Sequence, residues 1–234
     1  MLRKIKRRIE KITKKFDLKY DEKIFKVVFL PRKELYLINY LCMCPDPIFE
    51  KYGKSFRKRV KNLKKFVEQD LKKVCKKPGG AVISWKDLKK IRKFIKKELF
   101  QKIEKSKTIK NLIVIVSLPK NRFSYYTILF HEWLHLLLLF NHIVFQRKRR
   151  NWELDEGLVT YLQISSRLKK LNISAYLKKK ITKSKNELEK IYLEKALFFN
   201  NVFKNTKTPK ERRRILIRLL NQYKKSLEHR NPTL

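Results

Sequence analysis

His131-Glu132-Trp133-Leu134-His135 sets two imidazoles four residues apart, with a carboxylate beside the first. On a helix, residues at that spacing share a face about one turn from each other, so both rings can reach one ion at roughly 2.0–2.1 Å. Glu132 is one residue off that direction. It is near enough to take a proton from a water at the ion and poorly placed to be a ligand itself. Four histidines and fifteen glutamates scattered over 234 residues would give the pattern by chance only roughly 0.004 times. The plain alternative is a pair of satisfied histidines on a buried helix.

A catalytic zinc keeps three protein ligands and an open position, so two histidines leave one ligand to find. His142 lies on the face of His131 but seven residues beyond His135, about 10 Å too far along a continuous helix. Leu136 to Leu139 contain no Gly or Pro to break that helix, so His142 reads as a helix-end residue. The stretch Trp152-Glu153-Leu154-Asp155-Glu156-Gly157 follows the basic turn Gln146 to Asn151 and opens what reads as a second helix. Helices joined by a short loop pack side by side, so a carboxylate near the start of the second can face histidines in the first. Spacing admits Glu153, Asp155 and Glu156 alike; Asp155 also suits a first helical turn, where the helix dipole favours an acid. If Glu156 is helical, Thr160 and Gln163 share its face and could hydrogen-bond the ligands, and Thr160 equally suits packing.

The order HExxH, about twenty residues, then Glu156-Gly157 with Tyr161 four residues after the glycine resembles the gluzincin metallopeptidases, the thermolysin- and aminopeptidase-like superfamily. The resemblance covers about residues 111–165. It implies that His131, His135 and Glu156 bind zinc and that Glu132 is the general base, and it favours Glu156 over Glu153 and Asp155. It further implies hydrolysis of a protein or peptide substrate, with Glu132 passing its proton to the leaving amine. An oxyanion donor is expected too. Tyr125, Tyr126, Tyr161, Tyr192, Tyr223 and His229 are all available, although Tyr161 projects roughly 140° from Glu156 on a helix and suits the core. In gluzincins a sheet-edge strand ahead of the active-site helix pairs with the peptide, and the β-branched run Leu112 to Val116, ended by Pro119, resembles it. Its unbroken apolar character equally fits a central buried strand.

Phe123 to Phe145 approaches the length of a membrane span but contains His131, Glu132, His135, Asn141 and His142. Lipid would make these costly without other spanning helices, and no second segment is long and apolar enough, so a buried central helix is expected and no transmembrane segment. The whole chain, 1–234, reads as a single α+β domain in which helices predominate around a small sheet. Leu2, Ile5, Ile9, Ile12 and Phe16 mark an amphipathic first helix. Phe25 to Leu30 and Leu35 to Leu41 are strand-like and suggest a hairpin across Pro31-Arg32-Lys33-Glu34. Helices are expected near 55–76 and 85–105, with Pro78-Gly79-Gly80 between them and a cap-like start from Ser84 to Asp87. Further helices are expected near 173–203 and 209–228, the last opened by the capping box Thr208-Pro209-Lys210-Glu211.

The second large fact is a formal net charge of +41, from 62 Lys and Arg against 21 Asp and Glu. Self-repulsion on that scale calls for counterions or a polyanionic partner, nucleic acid first among them. The bland alternative is a Lys-rich composition that paints solvated helix faces, since no nucleic-acid recognition module stands out. Cys42 and Cys44 are too close for an ordinary mutual disulfide on a strand, and a second metal site from Cys42, Cys44 and Cys75 lacks a fourth ligand. With no apolar signal segment after the basic N-terminus, the chain reads as cytoplasmic. The leading expectation is a zinc metallopeptidase. The competing one is a basic nucleic-acid-binding protein whose metalloprotease-like domain is non-catalytic, and a protease acting on nucleic-acid-associated proteins lies between them.

Overall fold

The computed structural model describes residues 2–43, 79–108, 111–117, 122–145, 152–168 and 172–229. In chain order the described elements are α1 (Leu2–Phe16), β1 (Val28–Leu30), α2 (Arg32–Met43), β2 (Gly80–Ser84), α3 (Trp85–Lys90), α4 (Lys97–Glu104), β3 (Leu112–Ser117), α5 (Arg122–Phe140), α6 (Trp152–Ser165), α7 (Ile173–Lys183), α8 (Glu187–Phe203) and α9 (Pro209–His229). Short 3-10 turns occur at Glu22–Ile24 and Arg92–Phe94. The class is α+β, helix-predominant with a small mixed sheet. The helix expected near 55–76 falls outside the described residues, as do Cys44 and Cys75. No helix among the described residues is long and apolar enough to cross a membrane. By its internal contacts the chain divides into two compact units, residues 23–136 and residues 1–22 with 137–234.

The sheet belongs to the first unit and runs β1-β3-β2. Its middle strand, β3, pairs parallel with β1 (Val28 opposite Ile115) and antiparallel with β2 (Gly80 opposite Val116). Ile113 to Val116 are fully buried, as a strand covered on both faces requires. This overturns the edge-strand expectation for Leu112 to Val116. Both of its edges are already hydrogen-bonded, and the outer position next to it belongs to β2.

The expected hairpin is also corrected. Only Val28–Leu30 is extended, while Arg32–Met43 forms a helix whose first turn is closed by the Leu35 N–H donating to the Pro31 carbonyl at 3.0 Å. Leu35, Ile38 and Leu41 recur every three residues and are all buried, which is a helical face and not the alternation of a strand. The helix expected over 85–105 is split into α3 and α4. Ser84 caps α3 by accepting the Asp87 N–H at 3.1 Å.

In the second unit, α1 buries Ile5, Ile9, Ile12 and Phe16 as its spacing predicts. Phe16, Tyr161 and Phe203 form an aromatic cluster with ring centroids 5.1 to 6.4 Å apart. The stretch 173–203 holds two helices, because Asn186 interrupts it and caps α8 by accepting the Glu189 N–H at 3.0 Å. At α9 the capping box forms as read. Thr208 Oγ1 accepts the Glu211 N–H at 3.1 Å, and Glu211 accepts the N–H groups of Lys207 and Thr208 at 2.8 and 3.4 Å.

Those two backbone donors hold the Glu211 carboxyl below its ordinary range. A carboxylate depressed in the folded state stabilises above its unfolded value, about 4.3, and that contribution is lost as pH falls through the folded value. Glu211→Gln should therefore lower stability at neutral pH and converge with wild type below about pH 4, measured by urea unfolding across pH. Thr208→Ala should cost about 1 kcal/mol at any pH.

Candidate metal centre

His131 and His135 lie one turn apart on α5, with their Nε2 atoms 3.2 Å from each other and ring centroids 4.8 Å apart. Two nitrogens each roughly 2.0–2.1 Å from a tetrahedral ion would lie about 3.3 Å apart, so the helical spacing has already set the rings at the separation one ion requires. Glu156 on α6 completes the group. The ligand atoms of the three half-buried residues lie within 4.8 Å of one another. Two imidazoles and a carboxylate leave coordination positions open and suit Zn²⁺ and other divalent transition ions. Donor chemistry and nitrogen spacing together make the residues fit a metal ion.

Asp155, the neighbouring competitor, has a different task. It is buried, and its Oδ1 accepts the Phe145 N–H at 2.8 Å, which ties the segment after α5 to the start of α6. Gly157 faces α8 so closely that a Cβ there would fall against Lys195, 3.1 Å from its Cα. Glycine inside a helix costs about 1 kcal/mol against alanine, and here the space decides for it. One turn before Lys195, Tyr192 packs edge-on against Trp152 with centroids 5.4 Å apart. Burial, then the carboxylates of Glu156 and Glu153, raise the Tyr192 phenol above its ordinary range, so it stays neutral and able to donate.

Glu132 is buried at 8% exposure, and its side chain lies on the backbone of Gly80 at the start of β2. A Cβ on Gly80 would come within 2.7 Å of the Glu132 Cδ and 2.8 Å of its Oε1. Of Pro78-Gly79-Gly80, expected as a turn between helices, Gly80 instead opens β2, and nothing in the triplet announces this contact. The only local signal was the short apolar run Ala81-Val82-Ile83 that makes β2.

Of the remaining candidates, His142 is exposed and stands past the end of α5 at φ 58°, with its N–H donating to Leu139 and the Ile143 N–H to Leu138. That is a Schellman end, and it confirms His142 as a helix-end residue. Tyr161 is in the core, stacked on Phe203, and burial raises its phenol to about 12. Thr160 and Gln163 are half-buried on α6 one and two turns after Glu156. Tyr126 packs near Phe130 and Tyr223 near Phe145, both with centroids 6.1 Å apart. Tyr125 and His229 fall within α5 and α9. No protein-family model, curated protein or solved structure matches the chain.

Glu156→Gln should weaken metal binding by more than the roughly 10–100-fold typical of outer partners, while Glu153→Gln and Asp155→Asn keep it, as titration of the metal-stripped chain would measure. Gly157→Ala should destabilise by about 1–3 kcal/mol through overpacking against α8. His142→Gly should stabilise by roughly 0.4–1 kcal/mol by relieving the left-handed residue and leave metal stoichiometry unchanged.

Proposed function

We propose that the chain is a zinc-dependent metallopeptidase of the gluzincin type. The observation that carries this reading is the pair of imidazole nitrogens 3.2 Å apart with the Glu156 carboxylate grouped beside them. His131, His135 and Glu156 would hold the ion. A zinc ion there supplies Lewis acidity, lowering the pKa of water towards about 7 and polarising a carbonyl.

Glu132 does the proton work. It is next to a ligand in sequence, and the Gly80 backbone confines its side chain. A confined carboxylate can take a proton from the attacking water and return it to the departing amine without searching for its position. The neutral Tyr192 phenol, near Glu156, is the tyrosine whose surroundings best suit a hydrogen-bond donor to the group or to a developing oxyanion.

The substrate in this reading is an extended peptide. Among the described residues β2 is paired on one side only, and its first residue touches Glu132, so main-chain hydrogen bonds along β2 would lay a peptide beside the general base. The role that the resemblance gave to Leu112–Val116 thus passes to its neighbour.

Purified protein should hydrolyse unstructured peptides, lose activity to a chelator, and regain it with Zn²⁺. Glu132→Gln should abolish turnover while metal content stays stoichiometric. Gly80→Ala should keep the metal and lower kcat by up to about 100-fold, the scale of a displacement of roughly 1 Å at a reacting group. Equal activity in wild type and Glu132→Gln would sink the peptidase reading and return the basic nucleic-acid-binding one.

A further inference from the structure

A second concavity, away from the histidines in sequence, gathers positive charge. Lys89 and Lys90 at the end of α3, Arg92 and Lys93 in the 3-10 turn, and Lys97 on α4 line a hollow of about 550 Å³, with Glu104 as its one acidic lining residue. Lys and Arg make up 62 of the 234 residues, so about two of the nine lining residues would be cationic by composition alone, whereas five are.

Two of these cations are also seated. Lys89 Nζ stands 5.6 Å over the Trp85 ring and the Arg92 guanidinium 5.2 Å over the Phe100 ring. Both rings are in the core, at 8% and 5% exposure, and so are fixed platforms. Cation–ring contact holds a charge in place without neutralising it. Like charges held around one hollow repel each other, and an anion entering it relieves that repulsion.

We infer that this hollow is a binding site for a compact oligophosphate, free or carried on a nucleotide. Five cations line the hollow against Glu104, and Asp87 beside it pairs with Lys90 at 3.6 Å, so the positive excess that remains suits a ligand with several negative charges packed within a few ångströms. An acidic peptide spreads its charges over about 3.3 Å per residue, and a duplex backbone is convex where this surface is concave. The volume falls within the roughly 300–1,000 Å³ usual for small-molecule sites. The two rings lie beneath cations and are nearly covered, so they offer no face on which a base could stack. Recognition therefore rests on the phosphates.

The hollow between α7 and α8, lined by Lys179, Lys180, Lys183 and Lys185 with Glu189, provides a control that is also strongly basic. There Lys180 lies 5.9 Å over Tyr176, a ring 36% exposed and not fixed in the core. The experiment is calorimetric titration of the full chain at about 0.15 M salt with sodium tripolyphosphate, ATP and a single-stranded oligothymidylate. The combined substitution Lys89→Gln, Lys93→Gln and Lys97→Gln, all exposed side chains, should weaken tripolyphosphate at least about tenfold. The matched substitution Lys179→Gln, Lys180→Gln and Lys183→Gln should leave it nearly unchanged, with both folds checked by circular dichroism. ATP as tight as tripolyphosphate, or tighter, supports the site and in the second case makes a nucleotide its carrier. Equal weakening by the two triple substitutions would reduce the effect to bulk charge and overturn the proposal. So would a selective loss of oligothymidylate binding with tripolyphosphate unaffected, which would make the hollow part of a nucleic-acid path.

Discussion

Everything at the candidate centre depends on one constraint: α5 is apolar over nearly its whole circumference and still carries three groups that need polar company. Leu129, Phe130, Trp133, Leu134, Leu136, Leu137 and Leu138 are buried to 2% exposure or less. A helix of that kind must be wrapped, and the wrapping buries Glu132 and leaves His131 and His135 half-covered, with less water to bind. A polar atom taken out of water must find a partner in the protein or cost a few kcal/mol. The two imidazoles face each other at 3.2 Å, where one nitrogen can donate to the other or both can turn to a shared ion. The second option satisfies both lone pairs at once. The stripe thereby becomes a place that could hold a cation.

The parts of this arrangement that are local were legible in the residues. The i, i+4 pair, the amphipathic α1, the Ser84 cap and the capping box at Thr208 each depend on groups within one or two turns, and they appear where spacing puts them. What stayed hidden depends on groups distant in sequence. Leu35 to Leu41 has enough β-branched and aromatic character to look extended, and only its three-residue recurrence of buried positions marks it as helical. Nothing in Leu112 to Val116 itself says whether one or two strands lie beside it, because edge and centre differ in neighbours and not in composition. Gly80 is the clearest case. Its reason for being glycine is a carboxylate fifty-two residues away, and no local rule connects the two.

The charge excess is accommodated in a way that the ratio of bases to acids does not suggest. Several cations donate to main-chain oxygens: Lys102 to Phe29, Lys26 to Lys107, Arg212 to both Lys15 and Thr206, and Arg213 to Asp17, whose carboxylate it also meets at 3.6 Å. Several of these oxygens lie just past helix ends, where carbonyls lack intrahelical partners and the dipole is negative. Others rest on rings, as Lys107 does over Trp85 at 5.1 Å. Such contacts order the long side chains and leave their charge in place, so the molecule keeps a strong positive field while its cations are individually positioned.

The bond from the Phe145 amide to Asp155 separates two quantities usually treated as one. It pins the chain just before and just after the segment between them, so the placement of α6 relative to Phe145 does not depend on how many residues that segment contains. Doubling such a segment costs only about 0.6 kcal/mol in closure entropy. By this argument the interval between the histidines and Glu156 tolerates a change of length more readily than Asp155 tolerates replacement. Relatives of this chain would be sought better by an Asp-Glu-Gly triplet than by a fixed count of residues from the second histidine.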